Sequence, residues 1–509
     1  MVKAAFVRAA VWRQSASYVY CAVTPPGPIS TTEQPAMPPR VTTTSKRLLP
    51  WLVAVAFFME SLDTTILNTA VPTVSEALHV TVLSMKSVLA SYTLALAVFI
   101  PISGWMADRF GTRRVFASAI GMFTLGSTLC GLCSNIHLLV LCRVLQGMGG
   151  AMMVPVGRLT LVRGFAKSEL VRTMSFVSIP ALVGPMLGPL AGGLIVRYLH
   201  WRDIFFVNIP IGVLGLILVY LHMPDFKEPK TPKLDLIGLI LFGSGIALLS
   251  YVLEVFGEHT LSTTEIAGML VISVALLVGY GLHGMEAKYP LLNLHLFRIR
   301  TFRVAVSGSF FTRLGIGGVP FLLPLLYQVG LGYTPVESGL LIMPQAVASM
   351  SMKFIMQRLL TKLGYRGVLI SNTLIIGALL CLFATIALKS PVWMIVLLAF
   401  CYGAFTSLQY TSMNTLVYSD ISESEASSGS SIASTMQQMS ISFGVAIAGL
   451  ATAFFVPQRV RLNPHLFIHG IHEAFVALGV FTAFSTLIFA GLRSGDGDNV
   501  SQHKVLHTA

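Results

Sequence analysis

LLPWLVAVAFFMESLDTTILNTAVP occupies residues 48–72. As a helix it is long and apolar enough to cross the roughly 30 Å hydrocarbon core of a bilayer. Yet Glu60 and Asp63 lie inside it, three residues apart, a spacing that puts both on one helical face. A carboxylate in hydrocarbon costs several kcal/mol unless it is paired, protonated or wetted, so a span that carries two marks a site with a task.

The rest of the chain puts this segment in a membrane. Of 509 residues, 54% are hydrophobic and 11% charged, against about 25% charged in an average soluble domain. That leaves too little polar surface to coat a water-soluble body of this size, so the fold class is an all-α polytopic membrane protein. Long unbroken apolar runs, rather than alternating ones, exclude a barrel. The net charge of +13 does not indicate nucleic acid, because Lys and Arg fall in small clusters between apolar runs and not along one stripe. Cys130 and Cys133 form a C-x-x-C with no second ligand pair nearby, so they read as small packing residues, and no metal is expected.

Fourteen apolar runs follow residue 48, each about long enough to cross a bilayer. With the amino terminus inside, the cytoplasmic segments hold 21 of the 34 Lys and Arg and the outer segments six, which supports both termini being cytoplasmic in a bacterial inner membrane. The loop SDISESEA (419–426) is acidic and departs from this pattern. Five regions are expected: an extension at 1–47, a six-helix half at 48–223, two inserted spans with a linker at 224–302, a second six-helix half at 303–492, and a tail at 493–509. GWMADRFGTRRV (104–115) and QRLLTKLGYRGV (357–368) occupy equivalent places in the two halves, with Gly111 matching Gly364 and Arg113 matching Arg366. Two six-helix halves related by an axis along the membrane normal are a transporter architecture.

Four stretches carry a further reading: LDTTILNTAVP (62–72), GWMADRFGTRRV (104–115), LCRVLQGMGGAMMVP (141–155) and VGPMLGPLAGGLI (183–195). In identity, order and spacing they resemble the major facilitator superfamily, and more closely its fourteen-span drug:proton antiporters of the EmrB/QacA type. RLGIGGVPFLLPLLYQVGLG (313–332) and SLQYTSMNTLVYSDI (407–421) are similar to the MdtD-like branch. The resemblance covers about residues 45–492. It implies a major facilitator fold and proton-coupled export of small amphipathic compounds. It also implies that the 104–115 loop, with Gly104, Asp108, Arg109, Gly111, Arg113 and Arg114, controls the conformational switch through charge contacts between the halves. By their chemistry alone the glycines permit close approach and a tight turn, and the arginines signal topology.

Gly184, Gly188 and Gly192 stand four apart and line one helix face for close packing, while Pro185 and Pro189 remove backbone donors. The resemblance marks this as an antiporter pattern that seals against leak. Arg143 lies deep in the fourth run and needs a partner. Asp63 matches the family's first-span motif, so an Asp63–Arg143 interaction, direct or through water, is expected. A carboxylate whose neighbours change between two conformations can take a proton from one side and release it to the other. Glu60 has three readings: a second titrating site, a cation contact, or a hydrogen bond to a neighbouring helix.

Arg313 and Lys353 place two cations in the second half. They are read either as contacts for an anionic or zwitterionic substrate or as counter-ions for the carboxylates, and Lys353 also as snorkelling. Asn68, Gln146, Gln409 and Asn414 are candidate polar contacts on the path, and equally interhelical hydrogen bonds. No phosphate-cradling G-x-x-x-x-G-K-[ST] loop and no H-E-x-x-H is present, so no ATP drive and no enzyme chemistry is expected. The expected partners are membrane lipids, a small amphipathic substrate and protons. No cofactor is expected beyond the proton gradient, and a periplasmic adaptor is not indicated. The rival readings are a dedicated exporter of a metabolite, siderophore or peptide, and a non-transporting sensor with a transporter fold.

Overall fold

A computed structural model describes residues 43–165, 167–228, 231–256, 262–422, 425–456, 464–493 and 495–497. The expected extension up to residue 42 and the tail from residue 498 lie outside the described residues. Among the described residues the chain is helical throughout, with no strand. The first helices are α1 (Thr43–Ala77), α2 (Met85–Phe110), α3 (Thr112–Leu132), α4 (Ile136–Gly164) and α5 (Lys167–Tyr198). A short α6 (Asp203–Phe206) leads into α7 (Asn208–His222), followed by α8 (Leu236–Val255) and α9 (Thr263–Glu286). Then come α10 (Arg300–Ile316), α11 (Val319–Pro324), α12 (Pro335–Phe383), α13 (Val392–Leu416), α14 (Ala426–Phe455), α15 (Pro464–Phe484) and α16 (Thr486–Phe489).

Twelve of the helical segments among the described residues are long and apolar enough to cross a membrane, against fourteen runs expected. One of them, α12, has 49 residues, about 74 Å at 1.5 Å per residue and so more than twice a bilayer core. It is broken at Gly364, whose φ of 66° and ψ of 167° lie outside the helical region. The 32-residue α5, with prolines at 180, 185 and 189, is not among the twelve. Gly364 and its expected counterpart Gly111 (φ 96°, ψ 142°) both adopt a backbone that L side chains rarely take, each at the turn between two successive helices.

The helices α1–α7 pack on one another, as do α10–α16, and α8 and α9 pair as a hairpin. The end of the bundle where α1 begins is termed proximal and the other distal. At the distal end one apolar core joins both groups, drawing Ile66, Val71 and Val88 together with Phe321, Leu326 and Ile376. Toward the proximal end that core divides. Val53, Phe57, Phe116 and Phe123 form one part, and Phe302, Leu360, Tyr365 and Leu416 the other. The polar contacts between the groups follow the same division. Gln328 donates to the Thr69 carbonyl at 2.8 Å, and Ser442 to the Ala90 carbonyl at 3.0 Å, both in the distal halves of α1 and α2. A Cβ added at Gly193 or Gly339 would meet the backbone of Pro335 or Pro189 across the α5–α12 seam.

The α8–α9 hairpin lies outside both groups, with α8 against α2 and α14. Lys86, 1% exposed, donates to the Glu254 carbonyl at 2.6 Å and ties the distal end of α8 to α2. Much of α9 is bare apolar surface, including Val271 (67% exposed) and Met285 (71%), as a lipid-facing helix requires.

Candidate functional site

Asp63 stands on α1 about 22 Å along the span from Leu48. It is buried, and so is every group that contacts it. Arg143 of α4 donates through Nη1 to Asp63 Oδ2 at 2.6 Å. The other oxygen, Oδ1, accepts from Gln146 Nε2 at 2.8 Å and from Asn208 Nδ2 of α7 at 3.1 Å. Arg143 Nη1 also donates to Gln146 Oε1 at 2.9 Å, which fixes the orientation of that amide. Asn208 donates to Ser127 of α3 at 3.0 Å, and Ser127 in turn to the Phe205 carbonyl at 2.8 Å. The Tyr92 ring of α2 lies under the guanidinium, 4.4 Å from its carbon. Five helices therefore converge on one ion pair. In a low-dielectric interior such a pair depends on the further hydrogen bonds that support it; among the described residues Arg143 Nε is left buried without an acceptor.

Of this network, Asp63, Arg143 and Gln146 are legible in the sequence. Asn208, Ser127 and Tyr92 are not singled out there, since each joins the ion pair's network only across the bundle, from a different helix. Glu60 is half-buried, within electrostatic reach of Asp63 and of the exposed Arg158. It stands outside the hydrogen-bonded cluster.

The face of α1 beside Asp63 is built for close contact. Ser61 and Thr65 hydroxyls bond back to the carbonyls of Phe57 and Ser61, at 2.7 and 3.0 Å, so they need no outside partner. Against them lie Gly184, Gly188 and Gly192 of α5. A Cβ on these would collide with Ser61 Oγ, Thr65 Oγ1 and the Ile66 carbonyl, respectively. Thr69 reaches across and donates to the Pro189 carbonyl at 3.0 Å. Pro185 is half-buried and Pro189 buried on the same helix. Asn68 is buried further along α1.

At the proximal end, Asp108 pairs with Arg163 of α4 at 2.8 Å, and Arg163 also reaches Glu228 at 3.1 Å. Asp225 accepts the Arg113 N–H at 3.0 Å and sits where a Cβ on Gly111 would be. The charge contacts of this loop among the described residues thus run within the first helix group, to α4 and to the segment after α7. Their partners Arg163, Asp225 and Glu228 lie too far along the chain for spacing to reveal. Arg109 and Arg114 are exposed. Gly104 does not make the close approach expected of it: a Cβ there would meet nothing within 4 Å, because the groups diverge at this end.

In the second group Arg313 of α10 is 2% exposed. Its Nε donates to Ser309 at 3.0 Å and its guanidinium stacks on the Tyr410 ring of α13 at 3.6 Å, while Nη2 is buried with no hydrogen-bond partner among the described residues. Lys353 is exposed on the proximal half of α12. Gln409 is not on an open path: its amide bonds Asn372 and Thr373 of α12, both at 2.7 Å, and is fully buried. Asn414 is exposed nearer the proximal end of α13. Cys133 and Cys142 lie 3.6 Å apart as free thiols inside the first group, as packing residues do.

Comparison with known proteins agrees with this architecture. The sequence profile of the family described as "Major Facilitator Superfamily" matches residues 53–445, with a second match over 305–504. A relative from Serratia proteamaculans (strain 568), named as a candidate multidrug resistance protein MdtD, is 41% identical over 444 residues, covering 86% of this chain and 92% of its own. Its counterpart from Escherichia coli (strain K12) is 40% identical over 457 residues, covering 90% and 97%. Among solved structures, a D-xylose-proton symporter superposes with a TM-score of 0.65 at 14% identity, covering 89% of this chain and 99% of that one. A bacterial homolog of the human lysosomal transporter Spinster, in an inward-facing and occupied conformation, gives 0.62 at 15%, covering 88% and 97%. At these identities the structures speak for the fold alone.

Proposed function

This chain belongs to the Major Facilitator Superfamily, in its MdtD-like branch, and from that premise we propose that it is a proton-coupled antiporter. It exports small amphipathic compounds across the bacterial inner membrane, with both termini cytoplasmic. Membership makes it a multi-pass membrane transporter rather than an enzyme. The observation that carries the finer reading is the buried Asp63–Arg143 pair at mid-span, held by groups from five helices.

Asp63 has one cation and two neutral donors, so its charge state answers to the position of α4 and α7 relative to α1. In the alternating-access change α1 shifts within the first group against α5, along the glycine face of Gly184, Gly188 and Gly192. The donors then move, and the carboxylate exchanges its proton with the opposite side. Arg143 tunes the exchange. Glu60, half-buried beside Arg158, relays protons between Asp63 and the proximal opening.

In this reading the chain has fourteen spans: six in residues 48–223, two inserted in 224–302 and six in 303–492. The two-core proximal end and single-core distal end support an arrangement open toward the cytoplasm. The Asp108–Arg163–Glu228 cluster is then the switch in its released form, with Asp108 free of the second half. The lipid-facing α8–α9 hairpin rides on the α2–α14 seam.

The test is proton flux in inverted membrane vesicles carrying a pH gradient. Lipophilic compounds are added one by one, and collapse of the gradient is followed for the wild type and Asp63→Asn. Collapse with the wild type and none with the variant is expected. A compound that binds the purified protein but moves no proton in either version would turn the assignment to a sensor or to another coupling ion.

A further inference from the structure

Each helix group carries a buried arginine that lies over a tyrosine ring. In the first, Arg143 lies over Tyr92 at 4.4 Å and is neutralised by Asp63 at 2.6 Å. In the second, Arg313 lies over Tyr410 at 3.6 Å and donates to Ser309, and among the described residues no carboxylate pairs with it. The depths match. Arg313 is about 20 Å along α10 from Arg300, and Asp63 about 22 Å along α1 from Leu48. The second site holds an arginine, an aromatic ring and a hydroxyl, and among the described residues it has neither the carboxylate nor the side-chain amide oxygen that accept from Arg143.

That deficit is costly. A guanidinium is removed from water at 2% exposure with a neutral hydroxyl and a ring face for company, and its Nη2 has no acceptor among the described residues. Asp63, the buried carboxylate of the first site, is engaged by three donors of its own group. Tyr410 is half-buried, so it is the partly accessible member that covers the guanidinium. Arg presents two parallel N–H donors that suit a carboxylate or other oxyanion.

We propose that Arg313 and Tyr410 form an anion-recognition site in the second half, and that the transported molecule bears a carboxylate or equivalent oxyanion on an apolar body. The oxyanion displaces the Tyr410 ring, takes the free Nη2 edge of Arg313, and supplies the charge that Asp63 supplies in the first half. A cationic substrate would instead have to compete with Arg143 for Asp63 while facing an unneutralised Arg313. This inference rests on the transport reading for its substrate, though the site itself does not.

The test uses the purified full-length protein in neutral detergent. The probes are 8-(dansylamino)octanoate and its methyl ester, which share one apolar body and differ in a single oxyanion. Fluorescence titration is expected to give the acid at least a tenfold lower Kd than the ester on the wild type, about 1.4 kcal/mol. Arg313→Gln is expected to remove the preference while leaving ester affinity within twofold. Arg313→Lys keeps the charge without the planar fork, so it retains part of the preference. If Arg313→Gln does not fold, Arg313→Lys must lower the ratio at least threefold.

A wild-type ratio near one overturns the proposal, as does a folded Arg313→Gln with the ratio intact or an unchanged ratio in Arg313→Lys. Proton flux on adding the acid to vesicles reports separately. An oxyanion preference without flux leaves the site standing and removes the transport reading. Flux with a ratio insensitive to Arg313 does the reverse.

Discussion

Asp63→Asn, Arg143→Gln and the double variant form a cycle whose outcome follows from the network's donor count. All three partners of Asp63 are donors: Arg143 at 2.6 Å, Gln146 at 2.8 Å and Asn208 at 3.1 Å. An asparagine at 63 brings one oxygen and one NH2 group, so at least one donor faces another donor. Gln146 cannot turn to relieve it, because its Oε1 is held by Arg143 at 2.9 Å. Asn208 can turn, since its Oδ1 has no partner, but it then gives up its donation to Ser127 at 3.0 Å. The larger loss is charge: Arg143, 1% exposed, keeps its positive charge with no counter-ion. Breaking one member of a buried pair costs roughly 3–5 kcal/mol, most of it the stranded partner.

Each single variant should therefore lose about that much stability. The double variant, with both charges gone, should lose less than either, a coupling of about 3 kcal/mol or more in the cycle. Reversible unfolding in mixed detergent–SDS micelles reads the stability, and vesicle proton flux reads function in the same preparations. Flux should be absent from all three variants, so stability returns in the double variant and activity does not. Additive losses, or a single variant as stable as the wild type, would refute the buried-pair argument. A double variant that still moved protons would remove Asp63 from the proton path.

Three further outcomes follow from other contacts. Gly192→Ala should lower folded yield sharply, because its Cβ would strike the Ile66 carbonyl. Gly268→Ala on the exposed α9, where a Cβ meets nothing within 4 Å, should stabilise by about 0.5–1 kcal/mol. Thermal unfolding of the two side by side checks both. Asp108→Asn breaks a pair with Arg163 whose side chains are 32% and 24% exposed. Its effect on stability should stay within about 1 kcal/mol, so a large change in flux with little change in unfolding would assign the loop to switching.

Asp235 caps α8 just outside the span. Burial pushes its pKa up, but the Gly238 N–H (2.8 Å), His283 (2.8 Å) and the Leu291 N–H (3.0 Å) outweigh that and hold it below the ordinary value of 3.8. Its folded pKa being depressed, its contribution is present above pH 3.8 and is lost as pH falls through the lower folded value. The gap in unfolding temperature between wild type and Asp235→Asn should therefore close as pH falls below 3.8. A gap that widened below that pH would contradict this sign.

The sequence by itself determined the class, the family and the positions that must be explained. A bilayer offers no water to solvate a backbone or a charge, so apolar length writes out the helices, and Glu60, Asp63, Arg143 and Arg313 stand out against them. Gly184, Gly188 and Gly192 were legible as a packing face for the same reason: spacing by four is a property of one helix. What spacing along one helix cannot give is the partner across the gap. Asn208 and Tyr92 join the ion pair, Arg163 and Glu228 meet Asp108, and Tyr410 covers Arg313 only because separate helices are brought together. Gln409 and Gln146 are the same residue type in similar apolar runs. One is used up in packing α12 to α13 and the other faces a carboxylate. Tertiary structure decided between them, because the environment of a side chain in a bundle is set by the rotation and crossing of its neighbours, which no local pattern encodes.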